Sequence, residues 1–172
     1  DKDVSRQLDK VWGVIRPVGK ERDSLMAKVR AQIPMESLAK ADHQKGKLLF
    51  GKSCATCHKL FGEGQTIGPD LTGSQRTNLD YLLENVVDPN AIVPREYSIT
   101  LVEMKDGRTL SGVVVQDTKQ ALTLQTANER MVLPRGDVEA LTPTKTSIMP
   151  EGLFDKLTPE ELRDLIGYLM RK

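Results

Sequence analysis

Apolar positions change period along the chain. Val4, Leu8, Val11, Trp12 and Ile15 recur at helical spacing, and Pro17 with Gly19 ends that pattern. Leu25, Val29 and Ile33 form a second, weaker stripe that stops at Pro34, so residues 1–44 read as helical. Both stripes need an apolar partner, on this domain or on a neighbour. A third helix starts at about Asp42, which serves as its N-cap, and runs through Gly46, Leu49 and Phe50. Asn78 to Val87 predicts a short helix, closed by Asp88-Pro89-Asn90.

At Tyr97 the period becomes two. Ile99 with Leu101, then Val113 with Val115, alternate with polar residues, and Asp106-Gly107 between them is a hairpin signal. Leu122 with Leu124, Met131-Val132-Leu133, and Val138 to Leu141 supply the remaining runs. Residues 97–142 are therefore a small antiparallel sheet, with a closed SH3-like barrel as one form of it. Gly112 inside a strand marks the bend such a barrel needs. Helical spacing then returns. Thr158-Pro159-Glu160-Glu161 is a capping box with proline at the first helical position, and Leu162, Leu165, Ile166 and Leu169 give the following helix its apolar face. Arg171-Lys172 suits the negative end of that helix's dipole.

Composition narrows the function classes. The 25 basic and 24 acidic residues leave a formal charge of +1, so nothing draws the chain as a whole to nucleic acid or to a membrane surface. No apolar run approaches the roughly 20 residues of a membrane span. The chain begins Asp1-Lys2-Asp3 without an apolar leader, and we read it as a mature or excised piece of a longer precursor. Aromatic residues are scarce, at 4 %, as expected where a flat cofactor fills part of the core.

The chemistry is concentrated in Cys54-Ala55-Thr56-Cys57-His58. These are the only two cysteines and one of the two histidines. Two cysteines three apart followed at once by histidine is the attachment signature of a c-type haem. Each thiol can form a thioether to a haem vinyl group, and His58 can hold the iron on its proximal face. Covalent haem attachment takes place outside the cytoplasmic membrane, which points to a periplasmic or otherwise extracytoplasmic protein. The loop Phe61 to Gly73 is dense in glycine and proline, as a backbone passing close to a flat ligand requires. Within it the Pro69 carbonyl is the candidate acceptor for the His58 Nδ1 proton, a bond that fixes the ring and raises its basicity.

The iron's sixth position has six methionines and His43 as candidates. Met26 and Met35 lie in the leading helical region, Met170 ends the last helix, and Met104 and Met131 fall in the β-run as packing residues. Met149 differs. It stands in the irregular segment Thr146-Ser147-Ile148-Met149-Pro150-Glu151-Gly152, and the proline after it holds it extended, as a loop crossing the distal face requires. His43 reads as a solvated residue at a helix start.

Gly46 and Phe50 ahead of CxxCH, Gly68-Pro69-Asp70-Leu71-Thr72-Gly73 after it, and Met149-Pro150 before a helix carrying Tyr168 resemble a class I c-type cytochrome. More narrowly, residues 43–172 resemble the haem-binding domain at the C-terminal end of large planctomycete and verrucomicrobial proteins. The resemblance implies a mainly α cytochrome c fold with an inserted antiparallel sheet, α+β overall. The expected partition is a helical extension at 1–42, a haem domain at 43–96 and 143–172, and a β insert at 97–142. It also implies one haem c joined to Cys54 and Cys57, His58 as proximal ligand and Met149 as distal ligand. Arg76, in a frequently basic position after the glycine loop, is implied as partner of a haem propionate.

Other chemistries fit less well. A dithiol oxidoreductase would place a strand before CxxC, whereas the order here is helix, motif, glycine loop. A structural zinc site would need a fourth ligand beside Cys54, Cys57 and His58, and His43 is the one obvious candidate. The expectation is one-electron transfer to a partner redox protein or domain, without substrate turnover. The alternative is a haem peroxidase or ligand-binding sensor with an open or displaceable sixth site. The β insert offers a surface for docking a dehydrogenase or a second copy of the chain.

Overall fold

Local sequence signals and long-range apolar packing agree over most of the chain. The computed structural model describes residues 14–15 and 20–172. In chain order its elements are β1 (Val14–Ile15), α1 (Lys20–Gln32), α2 (Met35–Leu38), α3 (His43–Ser53), β2 (Lys59–Leu60), β3 (Glu63–Gly64), α4 (Leu79–Val87) and β4 (Ile92–Val93). There follow β5 (Ser98–Met104), β6 (Thr109–Asp117), β7 (Ala121–Gln125), β8 (Arg130–Pro134), β9 (Val138–Ser147) and α5 (Pro159–Met170). Helices and an antiparallel five-stranded sheet make the protein α+β. The elements gather into two units: α1 to Pro89 with Glu151–Lys172, and β1 with Asn90–Pro150.

In the helical unit, side chains close the helix starts that the sequence marks. Asp42 accepts from the amides of Gln44 and Lys45 at 3.0 and 3.2 Å, and Asn78 does the same for α4 from Asp80 and Tyr81. Thr158 and Glu161 form the reciprocal capping box of α5. The core joins Phe50 of α3, Leu83 of α4, and Leu162 and Ile166 of α5. Val29 of α1 and Ile33, the residue just after it, are buried in it, so the second stripe packs on this unit.

Helices α3 and α5 cross at glycine. A Cβ on Gly46 would stand 2.1 Å from the Asp164 carbonyl oxygen and 2.6 Å from the Tyr168 Cβ, so no side chain fits between the backbones. The Asp164 carboxylate, only 2 % exposed, accepts from the Asp42 amide at 3.0 Å and ties the start of α3 to α5. Arg163 donates to the same oxygen at 2.7 and 2.9 Å.

In the sheet unit the strand order is β8-β7-β6-β5-β9, with every pair antiparallel. Gly107 takes φ 86° in the hairpin that joins β5 to β6. Val102, Leu122 and Leu124 are fully buried at the centre, with Met104 among them and Met131 packed alongside.

Three expectations change. Ile15 pairs as a strand with Ile92, and Val14 with Val93, because β-branched residues favour the extended pairing over a helix. The other members of that first stripe, Val4, Leu8, Val11 and Trp12, lie outside the described residues. Val115 does not alternate inward: a register shift between Val114 and Gln116 turns it out, and it is 50 % exposed. The barrel is not closed, since β8 and β9 end the strand order and share no ladder among the described residues. Gly112 instead admits a backbone, as its Cβ would stand 2.5 Å from the Gln125 carbonyl oxygen.

Gly46→Ala is expected to cost about 3 kcal/mol in urea unfolding, because the clash is with main chain that cannot step aside. Gly51→Ala on the same helix meets nothing within 4 Å. It is expected to be neutral or to stabilise by up to about 1 kcal/mol.

Burial pushes the Asp164 pKa up, but the Asp42 amide, the Arg163 guanidinium and Lys45 together hold it below the ordinary carboxylate value. Its contribution to stability is therefore complete above the unfolded-state value near ~3.9 and is lost as pH falls through the lower folded value. The unfolding free energy of Asp164→Asn should fall less steeply than the parent's over that acid range.

Candidate cofactor site

The motif continues the last turn of α3. The amides of Cys54 and Ala55 both donate to the Phe50 carbonyl, and those of Cys57 and His58 both donate to the Cys54 carbonyl, at 2.8–3.0 Å. This turn sets the two cysteines three residues apart on a helical path, where neighbours share a side. Both thiols are free and half-buried. Burial first, and the neighbouring Cys57 second, push the Cys54 thiol up to about 11, so it stays protonated at neutral pH. A dithiol redox centre needs the opposite, a thiol with its pKa lowered.

The glycine loop folds back on the motif as a clasp. The Gln65 amide donates to the Ala55 carbonyl at 2.9 Å, Gly68 to Cys57 at 2.7 Å and Leu71 to Lys59 at 2.8 Å. His58 Nδ1 lies 3.0 Å from the Pro69 carbonyl oxygen, which can only accept, so Nδ1 is the donor and, in the neutral ring, Nε2 is the nitrogen with the lone pair. Gly68 lies against the imidazole, for a Cβ there would stand 2.6 Å from Cε1 and 2.9 Å from Nδ1. Gly64, at φ 99°, would meet the His58 carbonyl oxygen at 2.1 Å. The sequence predicted close approach of this loop to a ligand; the approach seen here is to His58 itself.

Behind the clasp sits an aromatic and cationic cluster. Phe61, in the left-handed region at φ 51°, stands edge-on to Tyr168 at 5.8 Å, and Tyr168 in turn meets Phe50 at 5.8 Å. The Arg76 guanidinium lies over the Phe61 ring at 4.7 Å. Its Nη1 donates to the Leu169 carbonyl at 2.8 Å and to the Arg171 carbonyl, satisfying the open end of α5. Arg76 is 9 % exposed, and its Nε is buried with no partner. The sequence offered Arg171 and Lys172 for this helix end. Arg76, remote in sequence, does the work, and no local signal marks that role.

Cys54, Cys57, His58, Pro69 and Arg76 thus belong to the helical unit, and Met149 to the sheet unit. Met149 is half-buried, with its amide donating to Ser147 Oγ at 3.1 Å. His43 is the exposed first residue of α3. Among the described residues no group of three or more His, Cys, Asp or Glu is assembled that could hold a metal ion, which leaves the zinc reading without a ligand set. Nor is any helix among them long and apolar enough to cross a membrane.

A family model described as cytochrome c matches residues 43–171. The chain belongs to the cytochrome c family. Haem-based electron transfer and covalent haem c follow from that membership at the level of the family. The residues of this cytochrome c domain fit the group: paired free thiols, an imidazole whose Nδ1 is engaged by the Pro69 carbonyl, and a buried guanidinium N–H without an acceptor. No curated protein matches the chain. Among solved structures, the pleiotropic translational regulator Hfq aligns with 38 % of this chain and 88 % of its own, at 17 % identity. Its TM-score of 0.27 is too low to argue from.

Gly68→Ala is expected to displace the imidazole and break its bond to Pro69, at about 2 kcal/mol of stability. In the parent the His58 Nδ1–H should give a proton resonance protected from exchange with water, and in the variant that resonance should be lost.

Proposed function

We propose that this domain is a one-electron carrier with a single haem c held by Cys54 and Cys57. His58 and Met149 are its axial ligands, and it serves a partner redox protein or domain. The observation that carries the reading is the His58 clasp: the Pro69 carbonyl accepts a hydrogen bond from Nδ1–H, which leaves Nε2 as the nitrogen to ligate. Bound haem supplies an iron couple that changes by one electron, and a methionine opposite histidine raises its potential.

Every other task falls to the chain. Cys54 and Cys57 anchor the group through sulfur. Pro69 holds the imidazole in one tautomer and orientation, and Gly68 keeps the ring from swinging. Arg76 presents its unpartnered Nε to a propionate carboxylate. Met149 offers an uncharged thioether that neither gains nor loses a proton as the iron changes charge. No acid–base pair is proposed at the distal side, and so no substrate is turned over.

The haem domain is assigned to 43–96 and 143–172 with 97–142 as an insert, in the manner of the planctomycete-type haem modules it resembles. The insert serves for docking, to a dehydrogenase or to a second copy of the chain. Domains of this family typically work outside the cytoplasmic membrane, and we place this one there.

The test is an absorption spectrum of the haem-matured protein. Sharp α and β bands on reduction, with a weak far-red band in the ferric state, are the expected result. Met149→Ala should abolish the far-red band and lower the potential by on the order of 0.1 V. A high-spin ferric parent whose spectrum shifts with added ligand would replace this reading with a peroxidase or a sensor.

A further inference from the structure

The end of β9 departs from its ladder, and polar side chains take over the work of the sheet. Thr144 Oγ1 donates to the Ile99 carbonyl at 2.7 Å and accepts from the Thr146 amide at 3.2 Å. The Ser147 amide donates to Asn90 Oδ1 at 2.8 Å, and Ser147 Oγ accepts from the Met149 amide at 3.1 Å. Pro150 has no N–H, so the Met149 amide is the last main-chain donor before Glu151. Both donors that bracket Ile148 are therefore held by side chains, one from a residue far away in sequence. Asn90 can serve as a fixed post because Ala91 and Val93, which follow it, are buried.

From this arrangement we propose that Asn90 and Ser147 are positioning residues that hold the Met149 backbone in the conformation from which its thioether is offered. The inference rests on Met149 as sixth ligand. Ordering a residue's backbone costs about 1–2 kcal/mol, and a segment ordered before ligation does not bear that cost when the ligand binds. Loosening the latch should therefore weaken methionine ligation and leave His58 ligation unchanged.

The experiment uses the full chain matured with haem and titrates imidazole into the ferric protein, with Met149→Ala as reference. Asn90→Ala and Ser147→Ala should each raise the imidazole affinity roughly five- to tenfold, the worth of one hydrogen bond, and weaken the far-red band. Asn90→Asp and Ser147→Thr keep an acceptor oxygen and should stay within about twofold of the parent. Amide exchange supplies a readout independent of the iron. Asn90→Ala should speed exchange at Ser147, and Ser147→Ala should speed it at Met149, each roughly tenfold.

If both alanine variants keep the parent's imidazole affinity while Met149→Ala raises it, the latch is wrong and the ligation reading stands. If Met149→Ala changes neither spectrum nor affinity, the ligation reading falls and the latch loses its purpose with it. Should Asn90→Ala not fold, Ser147→Ala removes one hydroxyl and decides the matter alone.

Discussion

One imidazole governs the layout of the helical unit. His58 has two nitrogens, and to work as a ligand it must be told which one keeps its proton. The Pro69 carbonyl gives that instruction at 3.0 Å, and it can do so only if the loop that carries it returns to within touching distance of the motif. The return explains the loop's composition. Gly64 needs a positive φ and space against the His58 carbonyl, while Gly68 needs space against the imidazole. Any side chain at either position would push the loop away and take the Pro69 acceptor with it.

The clasp can be no firmer than the helix end it closes on. The motif is a turn extending α3, so its orientation is inherited from the crossing of α3 with α5. That crossing has backbone against backbone at Gly46 and a buried carboxylate, Asp164, joining the two helices. Phe61 adds a third constraint from below. A phenylalanine with positive φ costs roughly 1 kcal/mol or more, and it persists because its ring is seated between Tyr168 and the Arg76 guanidinium. Strain at Phe61 is thus balanced by packing on α5, the helix that also fixes α3.

Much of this was legible in the sequence, and the boundary is physical. Caps at Asp42, Asn78 and Thr158 could be read because capping is local, a side chain bonding amides two or three residues ahead. The five strands could be read from alternation and from Asp106-Gly107. The bond from His58 to Pro69 could be read because a loop this rich in glycine and proline has to return to something. What could not be read depends on partners distant in sequence. Ile15 sits in a helical stripe but meets Ile92. Val115 continues an alternation that a bulge interrupts, and a bulge has no local signature here. The roles of Arg76 and Asn90 exist only once Leu169 and Ser147 have been brought beside them.

Arg76 shows how such a distant partnership bears on the site. A guanidinium removed from water loses several kcal/mol of hydration, and no carboxylate of the described residues pairs with it. Two carbonyls at the negative end of α5 and the face of Phe61 return part of that loss. The unpartnered Nε marks what they do not return, for an N–H left unbonded in the interior costs about 1–3 kcal/mol by itself. An anion reaching this side of the unit would offer that N–H an acceptor. A propionate carboxylate has the charge to do so. On the proposed reading, the covalent group would complete the packing of the helical unit as well as supply its chemistry.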